Sequence, residues 1–196
     1  MNLQHLQGGG AGSFELATAY QRRVALEAVI AEVKYLAVDA RLAAVREIAR
    51  LLEVPLPTEL MMSSSDVRAM HQAGMQIGAH TVSHPILATL APEAARREMS
   101  ESKAFLENLI REPVSLFAYP NGMPGVDFNA GNVALARELG FEAAFSTARG
   151  AATARTDPFQ IPRFTPWDRS RLRFCARMLS TLWASRRGTP QLALHP

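Results

Sequence analysis

The sequence is poor in whatever would fix a covalent or membrane-bound scaffold. A single cysteine, Cys175, excludes an internal disulfide, and its apolar neighbours predict a small buried thiol. No run reaches the roughly 18 apolar residues of a membrane span. Residues 1–12 lack a basic segment followed by an apolar one, so no signal or anchor is legible and the cytoplasm is the default compartment. An excess of one charge is missing too, since 21 basic against 18 acidic side chains leave +3, which gives no case for a nucleic-acid partner. No two acidic residues are adjacent anywhere in the chain, and no internal repeat is found.

What is present is a chain of 196 residues, 48% hydrophobic, enough for one domain with a real core but short for a complete barrel of strand and helix units. Residues 1–16, with the run Gly8-Gly9-Gly10-Ala11-Gly12, read as a flexible start. Residues 17–57 read as two helices, over 17–36 and, after the cap Asp39, over 40–52, stopped by Pro55 and Pro57. Residues 58–168 alternate. A short helix capped at Ser63 to Asp66 and ended by Gly74 precedes a strand over 75–79; a helix from Pro92 to Ile110 precedes a strand over 114–118; a helix capped by Asn129 precedes a strand over 143–146; and 160–164 offers a fourth strand. Residues 169–196 read as a terminal amphipathic helix and tail. From Arg163 to Arg187 there are seven arginines and one acid, Asp168, so any electrostatic partner belongs at this end. The alternation predicts an α/β domain of largely parallel strands, whose sites form at strand C-terminal ends, where His80, residues 119–122 and Thr147 fall.

Among the five histidines, His80 and His84 stand out in Gly78-Ala79-His80-Thr81-Val82-Ser83-His84-Pro85, directly after a strand. Four residues apart on one helical turn or helix-like loop, both imidazoles face the same side, within reach of one cation at about 2.0–2.1 Å each. The alternative is two surface histidines, with Thr81 and Ser83 as local turn formers. His71, on a short helix beside Met70 and Ala73, reads as structural or solvated.

The segment His-Thr-Val-Ser-His-Pro after Gly-Ala resembles the second motif of the NodB-like polysaccharide deacetylases, carbohydrate esterase family 4, and Phe117-Ala118-Tyr119-Pro120-Asn121-Gly122 resembles the third. The resemblance runs over about residues 60–167, with two motifs in order at the right separation. It implies an incomplete NodB-like (β/α) barrel and a hydrolase that removes N-acetyl groups from an amino-sugar polysaccharide with a divalent metal, zinc first, held by His80 and His84. It also implies that the Asn121 N–H serves the oxyanion, and makes Tyr119, which begins the same groove-lining turn, a catalytic candidate beside it.

Several parts of that pattern are missing. The family's front motif, Thr-Phe-Asp-Asp, which supplies a general base and a third metal ligand, has no counterpart; Ala118 stands where an arginine is usual, Asn121 where a tyrosine is common, and no late apolar-X-His follows. Arg163 is the candidate to replace the lost positive charge, and Asp127 a candidate stand-in carboxylate. The expectation is a chain incomplete by itself, completed by self-association or by a separately encoded N-terminal segment. The alternative is a non-catalytic remnant that binds a sugar or a protein partner. For the arginine-rich terminal helix, packing on the domain is the first reading and contact with a membrane surface the second.

Overall fold

The computed structural model describes residues 13–164 and 167–185. The glycine-rich start and the tail with His195 lie outside them. The chain forms two compact units divided between Met62 and Ser63, where the sequence predicts one domain with its core beginning at residue 58.

The first unit contains α1 (Ala19–Val33) and α2 (Val38–Leu51). Thr18 starts α1 through a capping box, accepting from the Gln21 N–H while the Gln21 side chain accepts from the Thr18 N–H. The helix α2 begins at Ala37 without a side-chain cap, so Asp39 is a first-turn acid facing the helix dipole rather than the cap expected of it.

The second unit carries the chemistry. Ser63 and Asp66 form the capping box of α3 (Ser64–Gln72), and Gly74 then takes a positive φ of 85° to leave the helix. The 75–79 strand shrinks to one bridge, Ala79 with Phe117, because the chain meets its neighbour only at its last residue before His80. Then come α4 (Pro92–Ile110), β1 (Leu116–Ala118), α5 (Ala130–Glu138), β2 (Ala143–Ser146), the short β3 (Ile161–Pro162) and α6 (Arg171–Ser185). The strands are all parallel, in the order β1-β2-β3, with the Ala79 bridge on the outer side of β1. Spatial order that follows chain order is the arrangement of a barrel arc, and the fold is an incomplete α/β barrel.

Its core lies between the sheet and α4 and α5, built from Leu87, Met99, Phe117, Phe128, Val133 and Ala144 with their neighbours. Apolar burial of this kind stabilises by about 25 cal/mol per Å². Cys175 is exposed, contrary to the buried thiol predicted, because its side of α6 faces outward. Packing of α6 is local: Phe174 meets Phe164 edge-on at 5.8 Å, whereas Leu172 and Leu179 stay exposed. Among the described residues, no helix is long and apolar enough to cross a membrane.

Candidate metal and oxyanion site

Parallel strands in register bring their C-terminal ends to one edge. Ala79 pairs with Phe117, Phe117 with Ala144, and Phe145 with Ile161, so the residues just beyond them, His80, Asn121, Thr147 and Arg163, emerge on the same side of the sheet. Cross-bonds tie those ends together. Thr147 donates through Oγ1 to the Asn121 carbonyl and through its N–H to the Gly122 carbonyl, both at 2.8 Å, and the Arg163 N–H reaches the Ser146 carbonyl at 3.0 Å.

The half-buried His80 ring is fixed by its Nδ1, 2.6 Å from the Ala118 carbonyl. A carbonyl can only accept, so Nδ1 carries the proton and Nε2 of the neutral ring presents its lone pair outward. Burial holds the His80 pKa below the ordinary histidine value; the Ala118 bond opposes this, while His84 and Arg163 push it further down. At neutral pH the ring is therefore in its ligating form.

The His84 ring stands 4.8 Å from that of His80, nearly perpendicular at 79°. Imidazoles sharing one tetrahedral cation at about 2.0–2.1 Å would sit about 5 Å apart between centres, so the pair fits a common cation.

The loop that presents the pair departs from helical form. Thr81 and His84 both adopt positive φ, 65° and 54°. Such conformations cost on the order of 1–3 kcal/mol each and persist only where surroundings hold them. Glu98 on α4 is the clamp. Its Oε2 accepts from the Val82 and Ser83 N–H groups at 2.8 and 2.9 Å, and its Oε1 accepts from the Ser83 hydroxyl at 2.5 Å. Thr81 Oγ1 adds a local tie, donating to the His80 carbonyl and accepting from the His84 N–H. Glu98 went unnoticed in the sequence. The available signal was an acid between the inward positions Ala95, Met99 and Ser102 of an amphipathic helix.

Asn121 also has positive φ, 55°, followed by Gly122 at 78°. A Cβ on Gly122 would lie 3.0 Å from the Tyr119 carbonyl and 3.1 Å from the Thr147 nitrogen, so the turn demands glycine. Among the described residues, the Asn121 N–H donates to no acceptor.

Tyr119 is not at the surface of the site. Its ring is fully buried, stacked on Phe128 at 3.8 Å, and its hydroxyl donates to the Phe159 carbonyl at 3.0 Å. Burial pushes the phenol pKa far upward. The side chain expected near the chemistry therefore anchors the Asn121 turn from beneath. Asp127 is buried too, and its Oδ2 accepts the Met123 N–H at 2.8 Å to close its own loop. Neither Asp127 nor any other acid joins the histidines: no group of three His, Cys, Asp or Glu able to hold a metal occurs among the described residues. The donor set fits a cation with two nitrogens and stops there. His71 lies on α3, 3.6 Å from Glu112, away from the pair in the chain and in role.

A parallel α/β arc thus gathers paired histidines and a turn N–H at one strand-end edge. The polysaccharide deacetylase family model matches residues 47–144, and the chain belongs to that family. It is 27% identical over 102 residues to the polysaccharide deacetylase homologue YxkH of Bacillus subtilis, a match covering 52% of this chain and 35% of the relative. It also resembles the solved Streptococcus pyogenes deacetylase PplD, in complex with acetate, with a TM-score of 0.54 and 25% identity over 64% of this chain and 52% of that one. The chain thus spans between a third and about half of the length of these relatives.

Proposed function

We propose that the chain supplies the histidine and oxyanion half of a metal-dependent polysaccharide N-deacetylase, acting on N-acetyl groups of an amino-sugar polymer. The observation that best supports this reading is the fixed tautomer of His80, with the His84 ring 4.8 Å away at the same strand end. His80 and His84 would hold a divalent cation, zinc first. When bound, the cation supplies Lewis acidity to the acetyl carbonyl and acidifies the attacking water. The Asn121 N–H donates to the oxygen that gains charge on attack, and its positive-φ turn holds that donor in place before substrate arrives. Arg163 adds positive charge to the edge, which suits a developing oxyanion and, after burial and His84, helps hold the His80 pKa down.

A third ligand and a base are still required. All 18 acidic residues of the chain lie in described segments, and none forms a three-ligand group with the pair. On this reading another polypeptide segment provides them, and the isolated chain binds metal weakly. The same shortage favours the second reading, a non-catalytic module of the same family that binds a sugar or a partner.

Zinc titration of the purified chain tests the ligand assignment. His80→Ala and His84→Ala should each abolish stoichiometric uptake with the fold retained, while His71→Ala leaves it unchanged. Undiminished zinc in the double His80, His84 variant would overturn the assignment.

A further inference from the structure

Beside the histidine site, and sharing Thr147 and Arg163 with it, lies a cavity of about 540 Å³ between the end of β2, the segment after β3 and α6. That volume is in the ordinary range for small-ligand sites, roughly 300–1,000 Å³. Three arginines line it, Arg149, Arg163 and Arg177. Arg177 is neutralised, gripping Asp168 through Nε at 2.6 Å and through a second, shorter bond, and lying over the Phe164 ring. Arg149 and Arg163 are exposed, and among the described residues neither forms an ion pair. The cavity therefore carries two uncompensated guanidinium groups. Trp167 and Trp183 lie on its wall, and Trp167 is 78% exposed, unusual for a side chain of that size.

Flat aromatic faces suit the apolar faces of sugar rings, and a guanidinium fork matches a carboxylate or phosphate better than it matches a hydroxyl. A neutral polymer of N-acetylglucosamine would leave both arginines without partners. We propose that this cavity is a subsite for an acidic sugar residue, one bearing a carboxylate or a phosphate ester, adjoining the unit whose N-acetyl group lies at the histidines. The second half of that statement rests on the deacetylase reading; the binding itself does not.

The test is calorimetric binding to the chain with EDTA present, so that metal plays no part. The probes are a hyaluronan tetrasaccharide for carboxylate, N-acetylglucosamine 6-phosphate for phosphate, neutral chitotetraose, and inorganic phosphate. One or both acidic sugars should bind at least tenfold more tightly than chitotetraose and than inorganic phosphate, and whichever binds identifies the acid. Arg149→Ala and Trp167→Ala should each weaken that binding about tenfold, and added salt should weaken it further. Arg155→Ala, an exposed arginine outside the cavity, should leave it unchanged. Equal affinity for chitotetraose, equal affinity for inorganic phosphate, or indifference to Arg149→Ala would overturn the proposal. Tight, Arg149-dependent binding of an acidic sugar, with no deacetylation in any form, would keep the subsite and remove the deacetylase reading.

Discussion

Glu98 takes two backbone N–H groups and a hydroxyl from the residues between the two histidines, which makes it the counterweight to the left-handed Thr81 and His84. Removing it strands those N–H groups, at about 1–3 kcal/mol for each that water does not reach. Partners that orient metal ligands commonly carry 10–100-fold of affinity. Glu98→Ala should therefore weaken zinc binding by about that factor. Glu98→Gln keeps an oxygen for the two N–H groups and can still bond the Ser83 hydroxyl, and should restore most of the affinity. Zinc titration of both variants checks this; equal affinity in the alanine variant and the parent would mean that Thr81 alone holds the loop. At this scale the sequence was informative where chemistry is tied to residue type. His80 and His84 were legible because spacing and strand-end position both point to them. Tyr119 was misplaced because a motif position does not tell whether a side chain points into the core, and here Phe128 and the Phe159 carbonyl draw it inward.

Between elements, Asp157 joins the turn before β3 to α5. Its carboxylate accepts from the Phe159 N–H, the Gln160 amide and Arg137, whose guanidinium also lies over the Phe159 ring. Burial raises the Asp157 pKa, but those donors together outweigh it and hold the value below the ordinary one. A depressed carboxylate contributes stability that is fully present above its unfolded pKa, about 3.9, and is lost as pH falls through the folded value. The stability gap between the parent and Asp157→Asn should thus be constant above about pH 5 and shrink toward pH 3, as read by urea unfolding at each pH. A gap independent of pH would show that the carboxylate is not stabilised in its charged form. Most elements could be read from the sequence: the caps at Ser63 and Asn129, Pro92 at the start of α4, and the apolar 143–146 run each had a local cause. The strands at Ala79 and Ile161 were overestimated because strand length is set by how far a neighbour runs alongside, which local sequence does not record.

At the scale of the molecule, the strand ends of a barrel arc gather two imidazoles, one turn N–H and a basic cavity, and among the described residues no group of three possible metal ligands forms there. Leu60, Met61 and Met62 are exposed at the boundary between the two units. The central claim is that the site is chemically specific but short of a carboxylate pair. Acetate release from N-acetylated chito-oligosaccharides and from hyaluronan oligosaccharides tests it, measured for the chain alone and for the chain fused to a front segment carrying the family's adjacent aspartates, each with zinc and with chelator. The account predicts no release above that of free zinc for the chain alone, and chelator-sensitive release by the fusion that disappears with His80→Ala. Robust chelator-sensitive turnover by the 196 residues alone would contradict it, as would a folded fusion that binds zinc and releases no acetate.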